Sequence, residues 1–441
     1  MCGFGVTDRP GLRSSNQRCQ RRGPDATSVT LYQGIEFLHN LLHITGNRTE
    51  QPFAADGVVA VFNGEIYNYQ DLGDYKTDGA CIIDCYMHHG RDYARHLDGE
   101  FAIVIVDFTK NLLILSTDTF ATKPLWYDVR PNGFCIGSYN SQLIGNKFTR
   151  GQKLQANRTL IFDLATRDLL QEIENWQFDL RQHKRTYDDW MQSFELSIKK
   201  RTKNTRAGMF VGMSSGYDSG AIACELNRQG VSFKAYSIDN NENDEILSAR
   251  LSALKDTERF AMTTQEFDRW YAELLNHCED FVYDDGVLDY DIKRDQASMG
   301  LAAICSRARQ EGRRIYFSGQ GADEIISDYG FQGRKIFKHS RFGGLFPDDL
   351  QGFWPWHSFW DGTQIQYLNK EEYVAGHFGI ETRYPFLDRS LVQEFLWLAS
   401  DLKNRHYKSA LHAYLESRAW PFNPGEKLGF HVSDRKLKKK K

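Results

Sequence analysis

Short apolar runs bounded by turn residues dominate the first third of the chain. The clearest runs are residues 58–62, 101–108, 112–116 and 134–137. Asparagine–glycine and aspartate–glycine pairs lie beside them, which is typical of strands joined by tight turns. This pattern predicts layered antiparallel sheets.

The pattern changes near residue 180. Residues 187–200 carry apolar side chains at helical spacing and end in basic residues, which predicts a helix. Apolar runs and helical segments then alternate up to residue 317, as is typical of a parallel sheet. The polar stretch 179–185 separates the two patterns. We therefore predict domains at residues 2–178 and 185–432, followed by a basic tail at 433–441.

Composition and charge narrow the class of protein. Of the 441 residues, 41% are hydrophobic and 13% aromatic, enough for sizeable cores. Lysine and arginine number 55 against 58 acidic residues, so no global basic field attracts nucleic acid. The sequence has no apolar run of membrane-spanning length and no secretory signal pattern, and its eight cysteines are dispersed. We therefore expect reduced thiols in a cytoplasmic protein without a membrane partner.

Cys2 is the first candidate for chemistry. It follows the initiator methionine, which is usually trimmed before a small residue. A terminal cysteine carries its own base, because its α-amine titrates near neutrality and can accept the thiol proton. Asn63 and Gly64 end an apolar run. There an amide side chain and a backbone N–H can converge on one oxyanion, although a hairpin turn is the simpler interpretation of this pair.

Several segments resemble the class II glutamine amidotransferase domain of asparagine synthetases. In order, they are Cys2 and residues 21–26, 61–69, 97–107 and 116–127. The resemblance implies an N-terminal-nucleophile fold, an α+β sandwich with antiparallel sheets between helices. It also implies that Cys2 is the nucleophile and that Asn63 and the Gly64 N–H form the oxyanion hole.

Two positions depart from that family's pattern. Leu41 stands where the family has an arginine for the glutamine α-carboxylate, and Ala80 stands where it has an aspartate for the α-ammonium. Each lost charge-assisted contact costs roughly 1.5–3 kcal/mol. Either Arg48 or Asp78 compensates from a neighbouring position, or the domain acts on another amide or on none.

A second candidate site follows the apolar run 208–213. A loop of small and acidic residues opens a helix there: Ser214, Ser215, Gly216, Asp218 and Ser219. Backbone N–H groups at a helix start favour phosphate, and Asp218 can reach a phosphate-bound Mg²⁺. The loop lacks the Gly-Lys-Ser/Thr of a Walker sequence, and a plain strand–helix turn is the competing interpretation.

A related loop, residues 318–324, follows the predicted strand 314–317. A small-residue loop after a parallel strand belongs at the ligand crevice of a doubly wound sheet. Its residues Ser318, Gly319 and Asp323 are therefore further candidates, with Asp323 as a second Mg²⁺ ligand.

These loops, with residues 379–388 and 427–430, resemble the ATP-pyrophosphatase domain of asparagine synthetases. The resemblance implies an α/β doubly wound parallel sheet and the cofactors ATP and Mg²⁺. It implies nucleotide contacts from both loops and from Ile238. By position, Lys427 would stabilise charge on the phosphates, and Gln320 and Glu381 would lie on the substrate side.

The reaction implied is an ATP-dependent carbon–nitrogen ligation. A carboxylate attacks the α-phosphorus of ATP, pyrophosphate leaves, and ammonia or an amine displaces AMP from the acyl-adenylate. Gln320 replaces a family glutamate, and glutamine cannot carry that charge, so aspartate is not assured as the substrate. We expect a small carboxylate and glutamine or another amide donor as partners, and a homodimer stays open. The alternatives are a ligase or cyclase that uses free ammonia or an amine, and a module that binds nucleotide without turnover.

Overall fold

Antiparallel strands build the N-terminal domain. The computed structural model describes residues 2–239, 242–280, 282–284, 289–291 and 295–425. The strands of the first domain are β1 (Gly3–Thr7), β2 (Ala26–Tyr32), β3 (Ile35–Leu41), β4 (Phe53–Ala55), β5 (Val58–Ile66), β6 (Gly99–Asp107), β7 (Leu112–Thr117), β8 (Trp126–Arg130), β9 (Gly133–Gly137), β10 (Gln152–Lys153), β11 (Arg158–Asp163) and β12 (Leu169–Glu174). Its helices are α1 (Tyr69–Leu72), α2 (Cys81–His89) and α3 (Asn140–Gly145).

These strands form two sheets, with strand orders β10-β8-β9-β1-β3-β2 and β12-β11-β7-β6-β5-β4. In β5, Val59 and Val61 pack into the core between the sheets, whereas Val58 and Ala60 face the core beneath α2. Both faces of this strand are therefore buried. That burial explains why it is a continuous apolar run instead of an alternating one.

A parallel sheet organises the C-terminal domain. Its strands are β13 (Gly208–Gly212), β14 (Phe233–Ile238), β15 (Thr257–Phe260), β16 (Val282–Asp284), β17 (Asp289–Asp291), β18 (Arg313–Phe317), β19 (Gly330–Phe331), β20 (Arg334–Lys335) and β21 (Glu381–Arg383). The helices are α4 (Asp188–Thr202), α5 (Tyr217–Arg228), α6 (Asp244–Ser252), α7 (Thr264–His277), α8 (Gln296–Gln310), α9 (Ala322–Ile326), α10 (His357–Trp360), α11 (Thr363–His377), α12 (Arg389–Trp397), α13 (Ser400–Lys403) and α14 (Ser409–Ser417). The main sheet has the order β15-β14-β13-β18-β21, with all pairs parallel.

Both predicted sheet types are confirmed, and one local alternative is wrong. Asn63 and Gly64 do not form a hairpin turn, because β5 continues through them to Ile66 and pairs them with Ala102 and Phe101 of β6. The predicted connector lies between the end of β12 and the start of α4. No helix within the described ranges is long and apolar enough to cross a membrane.

Candidate active sites

The thiol of Cys2 lies beside the segment that follows β3. The Leu42 N–H donates to Cys2 Sγ at 3.5 Å, and Arg22 Nε donates to the Cys2 carbonyl oxygen at 3.0 Å. Burial raises the pKa of the Cys2 thiol to about 11, although the Leu42 contact opposes this shift. The thiol is therefore protonated at neutral pH, and it needs a base before it can attack a carbonyl carbon.

Gly64, but not Asn63, lines one pocket with Cys2. A Cβ on Gly64 would lie 1.8 Å from the Glu100 carbonyl oxygen, so a side chain is excluded there. The Asn63 side chain is fully buried, and neither its amide nitrogen nor its amide oxygen has a hydrogen-bond partner among the described residues. An unpaired buried amide costs about 1–3 kcal/mol. The role of Asn63 in an oxyanion hole stays a prediction.

The pocket contains one of the two proposed compensating residues. Asp78 lines it together with Thr77, whereas Ala80 does not. Of the alternatives left open for Ala80, this placement favours compensation by Asp78, whose role in binding an ammonium group stays a prediction. Arg48 is exposed, donates to the Asp25 carbonyl oxygen at 3.0 Å and does not line the pocket.

Glu381 of the C-terminal domain also lines the Cys2 pocket. Arg383 pairs with it at 2.9 Å and with Glu65 of β5 at 3.0 Å, so strand β21 joins the two domains. Burial opposes ionisation of Glu381, whereas several nearby positive charges, those of Arg383 and Lys123 among them, lower its pKa below the usual value. We predicted Glu381 on the substrate side of the ligase, and the structure places it in the lining of the Cys2 pocket. Sequence reasoning missed Arg383 as its partner and Glu65 as the second carboxylate that Arg383 contacts.

The first phosphate-loop candidate lies between β13 and α5. Ser214 and Ser219 hydroxyl groups are 2.9 Å apart, and Arg250 Nη1 donates to the carbonyl oxygens of Ser214 and Gly216 at 2.7 Å each. Arg250 is fully buried and was not predicted, because nothing in its local sequence marks it. Its two hydrogen bonds to the loop carbonyl groups stabilise the loop conformation.

The Ser215 end of this loop already holds an anionic group. The Ser215 N–H donates to Glu242 Oε2 at 2.7 Å, and the Ser215 hydroxyl donates to the same oxygen. A carboxylate oxygen therefore lies where the loop would receive a phosphate oxygen. This contact shows that the donor set of the loop suits an anion.

Asp218 and Asp323 converge on one cation. Lys408 Nζ lies 2.6 Å from Asp218 Oδ1 and 2.9 Å from Asp323 Oδ1. A Cβ on Gly319 would lie 2.8 Å from Asp218 Cβ, so the two loops touch. Burial opposes the charge on Lys408, but the two carboxylates raise its pKa above the ordinary value. Carboxylates this close together suit a shared divalent cation.

The remaining predicted residues are placed as follows. The Gln320 N–H donates to the Ser318 hydroxyl at 3.0 Å, and Ser318 is fully buried. Ile238 is the buried last residue of β14. Lys427 lies outside the described residues. The nucleotide and substrate contacts of these residues stay predictions.

Buried charges join the domains behind both sites. Lys123 donates to Glu372 Oε1 at 3.0 Å and to the Thr382 carbonyl oxygen at 2.6 Å. Arg22 pairs with the other oxygen of Glu372 at 2.9 Å. Since Thr382 lies between Glu381 and Arg383, the charges of the N-terminal domain fix the strand that carries the pocket residues.

The fold and the two sites define a class of protein. Antiparallel sheets with a cysteine at the start of β1, joined to a parallel sheet with two small-residue loops, are the architecture of an amidotransferase domain followed by an ATP-pyrophosphatase domain. The glutamine amidotransferase domain family matches residues 1–173, and the asparagine synthase family matches residues 190–364. Residues 1–173 therefore belong to the glutamine amidotransferase domain family and residues 190–364 to the asparagine synthase family, the two domains that the resemblance predicted.

Individual relatives are distant. Asparagine synthetase 3 of Bacillus subtilis is 24% identical over 494 aligned residues, covering 95% of this chain and 77% of that protein. Asparagine synthetase 2 of Oryza sativa subsp. japonica is 25% identical, covering 89% and 68%. Among solved structures, the glutamine phosphoribosylpyrophosphate amidotransferase of B. subtilis aligns with 90% of this chain and 92% of its own, at 11% identity and a TM-score of 0.33.

Proposed function

We propose that this protein is an ATP- and Mg²⁺-dependent amidotransferase. It adenylates a small carboxylate and forms an amide with ammonia released by the N-terminal domain. The position of strand β21 supports this proposal. Glu381 at the start of β21 lines the Cys2 pocket, and the carbonyl oxygen of Arg383 at its end accepts the Ser318 N–H of the second loop at 3.0 Å. Two reactive sites thus share one rigid element.

The proposed N-terminal reaction uses Cys2, Asn63 and Gly64. Once Met1 is removed, the α-amine of Cys2 takes the thiol proton, and Sγ attacks the amide carbon of the donor. Asn63 and the Gly64 N–H stabilise the tetrahedral oxyanion. Ammonia leaves with the proton, and water hydrolyses the thioester to release the acid and the thiol.

Nucleotide chemistry belongs to the two loops. Ser215 binds phosphate oxygens through its N–H and hydroxyl groups after Glu242 withdraws. Asp218 and Asp323 would hold Mg²⁺, and Lys408 provides an additional positive charge beside them. Bound Mg²⁺ supplies neutralisation of the phosphate charge. The predicted role of Lys427 is to stabilise the same charge during adenylation.

Paired variants test the two halves separately. The full chain, with Met1 removed and verified by mass, is assayed for ammonia release from glutamine and other primary amides, and for ATP–pyrophosphate exchange with aspartate, glutamate and citrate. Cys2→Ala should abolish ammonia release and leave exchange unchanged. Asp323→Asn should lower exchange by roughly 100-fold, the scale of a lost electrostatic contact in a transition state, and leave ammonia release unchanged.

Cys85→Ala is the matched control, because Cys85 is a buried thiol in the core beneath α2. Its ammonia release should equal that of the unmodified chain. Suppose that ATP–pyrophosphate exchange persists and that amide formation by Cys2→Ala equals that of the unmodified chain. The protein would then be a ligase that uses free ammonia or an amine. Loss of exchange with every carboxylate would contradict the adenylation step for this set of substrates.

A further inference from the structure

We propose that the Cys2 pocket takes an amide donor with a free amino group and no free carboxylate, such as a glutamine residue at the start of a peptide. This inference rests on the proposed amide-splitting function and names the substrate class for it. It follows from the charges that surround the thiol.

Negative side chains dominate the pocket. Glu65, Asp78 and Glu381 line it, whereas lysine and arginine do not occur among its described lining residues. The guanidinium of Arg383 lies behind the wall and is shared between Glu65 and Glu381. Arg383 and Lys123 offset the charge of Glu381, and Arg383 also contacts Glu65. Asp78 is instead held by neutral donors, an N–H and a hydroxyl, so a positively charged group is favoured beside Asp78.

Asp78 is placed to receive that positive group. It is buried, and its carboxylate accepts the Ile66 N–H at 3.0 Å and the Thr77 hydroxyl at 3.3 Å. These contacts fix the carboxylate in the pocket without a cationic side chain of their own. An α-ammonium group would complete a charge-assisted hydrogen bond.

Residues 41 and 42 form an apolar part of the pocket wall. Leu41 and Leu42 line the pocket and are buried. A free α-carboxylate would lose water against these leucines and meet the like charge of Asp78, which disfavours its binding. A neutral peptide or amide carbonyl carries no such penalty. The free amino acid is therefore the poorer donor.

Matched donors test this inference on the full chain with Met1 removed. L-glutamine, L-glutaminamide and glutaminyl-glycine are compared, and the side-chain acid product is measured by mass spectrometry. We expect kcat/KM for the two blocked donors to exceed that for glutamine by roughly 10- to 100-fold, the range of one charge-assisted contact. N-acetyl-L-glutamine, which lacks the ammonium group, should not be cleaved.

Variants of the wall give a second readout. Leu41→Arg should raise kcat/KM for free glutamine at least about tenfold, while Leu41→Gln, a polar change without charge, should not. If Leu41→Arg fails to fold, Arg48→Ala serves instead. It should leave the ratio between donors unchanged, and a selective loss of glutamine cleavage would overturn the inference.

The outcomes separate the two proposals. If the unmodified chain cleaves glutamine as well as the blocked donors, this inference is wrong and the proposed function stands. If the chain cleaves none of these donors in a Cys2-dependent reaction, both the amide-splitting step and this inference are wrong. The proposed ligase activity is then tested by ATP–pyrophosphate exchange alone.

Discussion

At the residue scale, Lys408 is the cation that holds the nucleotide loops together. Its amine contacts both Asp218 and Asp323 and is almost completely buried. Its backbone lies in the left-handed region, with φ of 47°, at the start of α14. A residue held in such an uncommon conformation is positioned by its surroundings and not by local preference.

Replacing this lysine should make stability depend on Mg²⁺. Lys408→Met leaves Asp218 and Asp323 repelling each other without the amine, so Mg²⁺ should raise the Tm of this variant more than that of the unmodified chain. Differential scanning fluorimetry with and without MgCl₂, at constant ionic strength, measures the difference.

Lys403→Met is the matched control. Lys403 is also buried, but its amine donates to the carbonyl oxygens of Leu396 and Leu398 and to the Gln182 side chain, and it contacts no carboxylate within the described part of the chain. Its loss should lower Tm without creating any new response to Mg²⁺. Equal Mg²⁺ responses in the two variants would contradict the assignment of Asp218 and Asp323 as a shared cation site.

Asp78 predicts the pH dependence of donor binding. Burial and repulsion from Glu381 raise its pKa to about 6, although the Ile66 N–H opposes this shift. Below that pH the carboxyl group is protonated and cannot pair with an ammonium group. We therefore expect kcat/KM for an amine-bearing donor to fall as pH decreases from about 7 to 5, by up to tenfold per pH unit.

Asp78→Asn is the test, since it removes the group that titrates. Its kcat/KM should be low and should keep only the decline that protonation of the Cys2 α-amine causes, so its decline should be shallower than that of the unmodified chain. An identical decline in the variant would assign the titration to another group. ATP–pyrophosphate exchange in the same buffers shows whether low pH inactivates the whole protein.

At the scale of single elements, helix α4 ties the two domains through its last turn. Arg201 is buried, and its guanidinium contacts Glu100 of β6 at 2.7 Å and Asp388 at 2.9 Å. Lys200 contacts Asp98 of the N-terminal domain at 2.7 Å. A basic last turn, visible in the sequence as a helix-ending signal, thus also forms the domain contact.

Arg201→Met should destabilise the protein by up to about 3–5 kcal/mol, because it leaves the buried carboxylates of Glu100 and Asp388 with one cation each, Lys123 and Lys200. The midpoint of urea unfolding measures this change. Lys199→Met, an exposed position in the same turn, should shift the midpoint little. If the two variants unfold at the same urea concentration, the buried contacts of Arg201 do not stabilise the domain interface.

At the scale of the whole molecule, the two domains share one interior. Leu42, Ile44 and Phe120 of the N-terminal domain belong to the main hydrophobic core of the C-terminal domain. Glu372 of α11 receives Arg22 and Lys123 from the other domain. Shared apolar and ionic contacts of this kind couple the unfolding of both parts.

We therefore expect a single calorimetric transition for the unmodified chain. Glu372→Gln removes the charge that faces Arg22 and Lys123, and it should split the transition in two. Glu172→Gln, which changes a half-exposed surface ion pair with Arg158, should leave one transition. Two transitions in the unmodified chain would show that the domains unfold independently.

The sheet types and the reactive groups follow from local sequence patterns and could be predicted without the structure. The apolar runs of β5, β6 and β7 and the alternation from β13 to β18 predict the two sheet types, because burial of both faces leaves a continuous apolar pattern. The ordered motifs around Cys2, Asp218 and Asp323 predict the reactive groups, since each motif is contiguous in the chain.

The contacts between residues of different elements became known only from the three-dimensional fold. Glu381 lies in the same pocket as Cys2 although the two are far apart in the sequence. Lys408, at the start of α14, contacts Asp218 of α5. The choice between Ala80 and Asp78 likewise depended on the path of the backbone into the pocket. Periodicity reports which face of an element is buried, but partners across a domain interface are selected by packing and charge in three dimensions.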